Sequence, residues 1–412
     1  MISGSSMEVM KDEWLDRDTE VQISRLKRID WDFFNYKSRD PGYILHWYPA
    51  RIIGAIPSTL IGLLSKDDDV VLDPFCGTGT NLVEAARAGR PSLGYDISHI
   101  AVLISEIRLQ ILRAPKSLLS IDNPVDKFLF EPLFSKDKPQ PNEVREKIDK
   151  AMSYGDYLDR WFSLDQLSET AFLFLLCERC NDTIQRKFFS VVLSHCLRQV
   201  VGYANMGWSH LSDNVFPKKI SRFSVAESFK SKLEKIRLEI QAYEKLKTTP
   251  MTVETHVFNE DSCRLIEETA RGTVDIVITS PPYPGTCDYA LTQRLSLPWF
   301  SIDPDSELSI EIGSRHYRHR GDFLETYKRK IGQCFMGVAR RLKKYGKLAV
   351  VFPRFNDERD RVIDQLISVI EERGFKQFYT GIRNIHRTKR GLHWNIGTAV
   401  QQQIIAVFLK IE

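Results

Sequence analysis

Short apolar runs alternate with helix-period stretches at both ends of this chain, while the middle carries the helix period alone. Residues 70–72 form a brief apolar run that predicts a buried strand ended by Asp73. The turn through Gly77, Thr78 and Gly79 leads into a helix pattern over 81–88, closed by Gly89. Residues 92–95 predict the next strand, with Asp96 at its tip, and 100–112 a further helix. Upstream, 14–36 predicts one or two short helices, and 52–64 a helix with Pro57 near its start, where proline is tolerated. Strand, helix, strand, helix with short turns is the opening of a doubly wound parallel sheet.

The alternation then stops. From Pro115 to Pro250 the periodicity is helical, with a Pro- and Lys-rich loop near 132–141 and a charged helix over 223–247. The α/β pattern resumes at Thr252. A strand over 274–278 ends in Thr279, Ser280, Pro281, Pro282 and Tyr283. A helix follows over 323–342, a strand over 346–352, and a helix over 358–373 stopped by Gly374. A terminal strand pair, 375–385 and 404–410, flanks a long loop. The expected fold is α/β, Rossmann-like, with a doubly wound, mostly parallel sheet and an inserted helical lobe. Residues 1–112 form the cofactor half, 113–250 the insertion and 251–412 the catalytic half.

Composition narrows the setting. The 412 residues are 42% hydrophobic and 27% charged, ordinary for a globular protein. No apolar run is long enough for a membrane span, and the N-terminus lacks the basic and apolar regions of a signal peptide. Seven cysteines, an odd number, point to free thiols in a reducing compartment, so a cytoplasmic protein is expected. Cys177 and Cys180 form a C-x-x-C inside a helical core pattern with no second pair to complete a tetrahedral set, so no metal is expected. The net charge of +4 is too small to establish a polyanionic partner. Its distribution is more informative: 113–250 holds 22 Lys and Arg against 18 Asp and Glu, and the rest of the chain balances to zero.

The stretch Asp73–Thr80, with Gly94, Tyr95, Asp96 and Ile97, resembles motifs I and II of the DNA amino-methyltransferases. The segment His46–Arg51 resembles their motif X, and 259–262 their motif III. The resemblance covers roughly 43–112 and 257–410. It implies S-adenosylmethionine as cofactor, held by Tyr48, Ala50, Asp73, Phe75, Gly77, Thr78, Gly79, Thr80, Asp96, Ile97, Asp261 and Ser262. Physical chemistry agrees with much of this. Glycines permit a tight turn and close backbone approach, and the following helix offers free N–H groups to a carboxylate. A phosphate is not the ligand, which fits the absence of a longer G-x-G-x-x-G. Asp96 suits ribose hydroxyls as an acceptor, and Asp261 would accept from the adenine amine.

Ser280–Tyr283 resembles the Ser-Pro-Pro-Tyr form of the N4-cytosine branch of that family. An exocyclic amine is a poor nucleophile because its lone pair is delocalised. Acceptors that take its hydrogens favour the pyramidal form that can attack a sulfonium methyl. The Pro281–Pro282 pair stiffens the loop and leaves carbonyls without competing N–H donors. Ser280 and a proline carbonyl are the expected acceptors, Tyr283 offers a face for a flipped base, and Tyr289 is expected to pack on the loop. A covalent C5-cytosine route needs a cysteine after proline, and none of the seven follows one.

Double-stranded DNA is the implied partner, with a cognate restriction endonuclease or defence-system component beside it. Candidate DNA contacts are Arg198, Lys218 and Lys219 in the insertion, Arg315 and Arg318 after the catalytic loop, and Arg387, Lys389, Arg390 and Trp394 in an acid-free stretch. Three alternatives remain open: N6-adenine methylation of DNA, guanine-N2 methylation of transfer RNA, and a non-catalytic DNA-binding protein on the same fold.

Overall fold

The structure, a computed structural model, describes residues 16–38, 40–130, 138–201, 223–246, 251–266, 271–385 and 400–412. Helix α1 (Arg17–Leu26) is capped by Asp16, whose carboxylate accepts from the Thr19 N–H, and α2 (Ala55–Leu64) holds Pro57 in its first turn. Then come β1 (Val71–Asp73), α3 (Thr80–Arg87), β2 (Ser92–Tyr95) and α4 (His99–Arg113). Between α4 and β3 (Thr255–Phe258) lie α5 (Pro124–Phe130), α6 (Pro141–Tyr154), α7 (Leu164–Glu178), α8 (Thr183–Val200) and α9 (Val225–Leu246). Strand β4 (Val274–Thr279) is followed by α10 (Tyr289–Thr292) and α11 (Pro304–Ile310). The chain ends with α12 (Phe323–Arg341), β5 (Leu342–Arg354), α13 (Arg359–Glu371), β6 (Phe375–Asn384) and β7 (Gln402–Lys410).

One sheet runs in the order β3-β2-β1-β4-β5-β7-β6. All neighbours are parallel except β7, which is antiparallel to β5 and β6. The chain builds outward from β1 to β3, then returns to the other side of β1 with β4. That reversal opens a crevice at the carboxyl ends of β1 and β4, where open α/β sheets bind ligands. The order is that of a Rossmann-like methyltransferase sheet, so the expected fold class is the observed one.

Strand alternation divides the core into two layers. Leu72, Val277, Leu348, Val350 and Phe352 face α12 and α13. Val71, Ile276, Ile278, Ala349 and Val351 face α2. The described part of 113–250 is helical, with no strand among the described residues. These helices do not build a core apart from the sheet domain: one apolar cluster runs from α4 through α7, α8 and α9 to Leu295, Leu297 and Trp299. The sequence pattern missed β3, and it began β5 at 346, whereas α12 passes directly into the strand at Leu342. Among the described residues no helix is long and apolar enough to cross a membrane.

Candidate cofactor and catalytic site

An open cavity of about 950 Å³ lies at the carboxyl ends of β1, β2 and β4. The turn after β1 forms its floor. Gly77 has a φ of +51° and Gly79 of +75°, the left-handed region that glycine enters without strain. Asp96, at the tip of β2, braces this turn: its Oδ2 accepts the Gly77 N–H at 2.8 Å and its Oδ1 the Ser98 N–H at 2.8 Å. Asp73 joins three elements. Its carboxylate accepts from the Phe75 N–H at 3.0 Å, the Thr279 hydroxyl at 2.7 Å and Asn81 Nδ2 at 2.7 Å. Asn81, which sequence reasoning did not single out, also donates to the Ile278 carbonyl and lines the cavity. Its Oδ1 is buried without a hydrogen-bond partner.

Of the residues the resemblance implied for the cofactor, Tyr48, Ala50, Asp73, Phe75, Gly77, Thr78, Thr80, Asp96, Ile97, Asp261 and Ser262 line the cavity. Gly79 does not. A Cβ there would lie 2.8 Å from Ser105 Oγ, so Gly79 faces α4, and its absent side chain serves packing rather than ligand approach. A Cβ on Gly77 would meet nothing within 4 Å. The stretch 46–51 is an irregular wall rather than a helix start, since α2 begins only at Ala55 and Ala50 has a φ of +51°. Helix α8 anchors it: Ser194 Oγ pairs with His46 Nε2 at 2.8 Å, and His195 Nδ1 accepts the Trp47 N–H at 3.0 Å. Burial holds both rings neutral, pulling His46 down to about 3 and His195 to about 2. Sequence reasoning missed this bridge because its partners lie far apart in the chain.

The Ser280–Tyr283 loop leaves the end of β4. Ser280 and Pro282 line the cavity; Pro281 is buried outside its lining, as is the half-buried Tyr283. The Tyr283 hydroxyl accepts from Gln403 Nε2 at 2.6 Å and lies 3.2 Å from Ser280 Oγ, which donates to it. That donation leaves the Ser280 lone pairs free to accept. The Pro282 carbonyl already accepts from the Tyr327 hydroxyl at 3.0 Å. Further along the same segment Tyr289 does line the cavity, its ring stacked on Tyr48 at 5.9 Å between centroids.

Two further carboxyls complete the lining. Glu307 accepts the His99 N–H at 3.0 Å, and Glu311 accepts the N–H groups of Tyr289 and Ala290. Burial pushes Asp96 up to about 6, Asp73 and Glu307 to about 7 and Glu311 to about 8. With Asp261, five carboxyls share the cavity with one guanidinium, Arg51. Their four-residue spacing, Glu307 to Glu311, was the only sequence signal for the two glutamates.

The remaining candidates are dispersed. Arg315 is half-buried and Arg318 exposed, on a segment bonded to the catalytic loop through the Arg315 N–H and the Cys287 carbonyl. Arg198 stacks over the Trp47 ring at 3.5 Å, behind the cavity wall. Lys218, Lys219, Arg387, Lys389, Arg390 and Trp394 lie outside the described residues. Cys177 and Cys180 are buried at the end of α7, and Cys263 and Cys334 stand 3.0 Å apart beside Asp261.

Residues 8–106 match the N6/N4 methyltransferase family, described as DNA methylase. The Type II methyltransferase M.MjaII of Methanocaldococcus jannaschii is 23% identical over 81% of this chain and 76% of its own. This chain is similar to DNA methyltransferases over most of its length. The Type II methyltransferase M.MvaI of Kocuria varians is 25% identical over 68% of this chain and 62% of its own. A tRNA (guanine(10)-N2)-dimethyltransferase of Methanothermobacter thermautotrophicus is 28% identical over 35% of this chain and 44% of its own. S-adenosylmethionine is the methyl donor of such a protein, and the residues present fit it. The donor carries a net positive charge, the acid-rich lining complements a cation, Gly77 leaves room for close approach, and Asn81 Oδ1 lacks a partner.

Proposed function

We propose that this protein methylates the N4 amine of cytosine in double-stranded DNA, taking the base out of the stack to reach it. One observation carries the reading: Ser280 and Pro282 line the same cavity as the Asp73–Thr80 turn, so amine acceptors and cofactor cradle share one space. When bound, the cofactor supplies an electrophilic methyl group on a sulfonium. The chain's part is to orient the amine. Ser280, its proton given to Tyr283, accepts a hydrogen from the amine and so favours the pyramidal nitrogen. The Pro282 carbonyl, fixed by Tyr327, has a second lone pair for the other amine hydrogen. Tyr283, fixed by Gln403, stands behind Ser280 and accepts the hydrogen bond from its hydroxyl. Asp96 takes the ribose hydroxyls and Asp261 the adenine amine.

Arg315 and Arg318, adjoining the catalytic loop, would contact phosphates, as would Lys218, Lys219, Arg387, Lys389 and Arg390, while Trp394 would help extrude the base. Residues 113–250 would read the target. A cytoplasmic setting and a cognate restriction endonuclease or defence-system component belong to the same proposal. Two rivals use the same site. Adenine N6 presents the same kind of amine, and the matched family covers both chemistries. The likeness to a tRNA guanine-N2 enzyme, over 35% of this chain, is the observation behind an RNA target. Incubation with cofactor and either duplex DNA or transfer RNA, followed by nucleoside mass spectrometry, separates them. N4-methylcytosine supports the proposal; N6-methyladenine alone moves it to the adenine branch; methylation of transfer RNA alone overturns the DNA reading.

A further inference from the structure

The segments 285–290 and 311–316 are stitched together beside the catalytic loop. Glu311 Oε1 accepts the Tyr289 N–H at 2.9 Å and Oε2 the Ala290 N–H at 3.1 Å. Asp288 Oδ1 accepts the Ser314 hydroxyl at 2.7 Å and the His316 N–H at 2.6 Å. The Gly285 N–H donates to the Gly313 carbonyl at 2.8 Å. Glu311 is 6% exposed and makes no ion pair among the described residues. Burying a carboxylate without a cation is costly, and packing alone would be served by an apolar side chain. The carboxyl group adds two acceptors aimed at the consecutive N–H groups of Tyr289 and Ala290. The residue so held, Tyr289, stacks on Tyr48 with an interplanar angle of 23°, and both rings line the cavity. Tyr48 in turn belongs to the wall that α8 anchors.

We infer that Glu311 is a positioning residue: it fixes Tyr289 against Tyr48, so that the paired rings form one wall of the cofactor cavity beside Ser280 and Pro282. This rests on the reading of the cavity as the S-adenosylmethionine site, and it assigns Tyr289 to the cavity wall rather than to loop packing alone. It does not depend on which base is methylated.

A double-mutant cycle read by calorimetry tests it. Glu311→Gln keeps the shape but turns an amide NH₂ toward a backbone N–H. It should weaken S-adenosylmethionine binding about tenfold, near the top of the range for a lost hydrogen bond between uncharged groups. Tyr289→Ala should weaken binding by a similar factor. The double variant should bind no worse than Tyr289→Ala, because the carboxylate acts through that ring. A merely structural glutamate would give losses that multiply, and that result, or unchanged affinity in Glu311→Gln, overturns the inference. Should Glu311→Gln melt below the assay temperature, Ala290→Pro deletes one of the two donors in the first helical turn and keeps the carboxylate. The same weakening and the same lack of further loss with Tyr289→Ala are then expected. A wild-type protein that binds cofactor with this coupling yet methylates no DNA sinks the substrate reading and leaves the inference standing. One that binds no cofactor sinks both.

Discussion

Substituting Gly79 by alanine should injure the fold more than the ligand contact. The Cβ would sit 2.8 Å from Ser105 Oγ and 2.9 Å from Ser105 Cβ, closer than real Cβ contacts come. It would also hold an L-residue at a φ of +75°. The left-handed backbone costs about 1–2 kcal/mol, and overpacking of this kind about 1–3 kcal/mol. Together they predict a loss of about 2–5 kcal/mol. Ser105 Oγ donates to the Gly77 carbonyl at 2.8 Å, so a displaced Ser105 also loosens the turn that holds the cofactor. Urea unfolding of the apo protein reads the first effect and calorimetry the second. Ser105→Gly removes both clashing atoms. Combined with Gly79→Ala, it should recover the overpacking part, about 1–3 kcal/mol, and leave the backbone part. Strictly additive losses in the two single variants would refute the packing argument. Gly77→Ala is the contrast: its Cβ enters open space at the cavity floor, so cofactor affinity should fall more than stability does.

Three further outcomes follow from the site. Ser280→Ala should leave cofactor affinity unchanged and lower single-turnover methyl transfer about 10- to 100-fold, the worth of an acceptor to an amine gaining positive charge; unchanged turnover would remove Ser280 from the chemistry. Burial raises the folded values of Asp73, Asp96, Glu307 and Glu311 to between about 6 and about 8, above their unfolded values. Each therefore takes up a proton on folding, and its contribution to apo stability stands in full below the ordinary carboxylate range and is lost as pH rises through those folded values. A cation in the cavity favours the ionised forms, so calorimetric affinity for S-adenosylmethionine should rise from pH 5.5 to 7.5, and a flat or falling profile would contradict the electrostatic fit. Reversing the charge at Arg315 and Arg318 should weaken binding to every duplex, lowering the log–log salt slope by about one per lost phosphate contact; fluorescence anisotropy across salt would show an unchanged slope if neither side chain touches the backbone.

The first half of the sheet was legible because its signals are local. Apolar runs, a glycine turn and a helix period follow one another within 71–113, and the structure places those elements there with shifts of one or two residues. Strand β3 was not legible, because it is an edge strand bonded to β2 alone, only four residues long, with Thr255 its one buried residue and no apolar run. Gly77 and Gly79 read alike in sequence; only Ser105, on α4, distinguishes a glycine that faces the ligand from one that faces a helix. Glu307 and Glu311 resemble a solvated helix face. Their burial depends on His99 and on the turn at 289–290, contacts no spacing rule encodes. The insertion was visible as a break in pattern, but not its fusion with α4 into one core.

The central claim is methyl transfer to the N4 amine of cytosine in DNA by Ser280 and its loop. Plasmid DNA from cells expressing the wild-type chain, and from cells expressing Ser280→Ala, should be digested to nucleosides and analysed by mass spectrometry. The account predicts N4-methylcytosine in the first sample and a marked loss of it in the second. N6-methyladenine with no N4-methylcytosine, or equal modification in both samples, would contradict it.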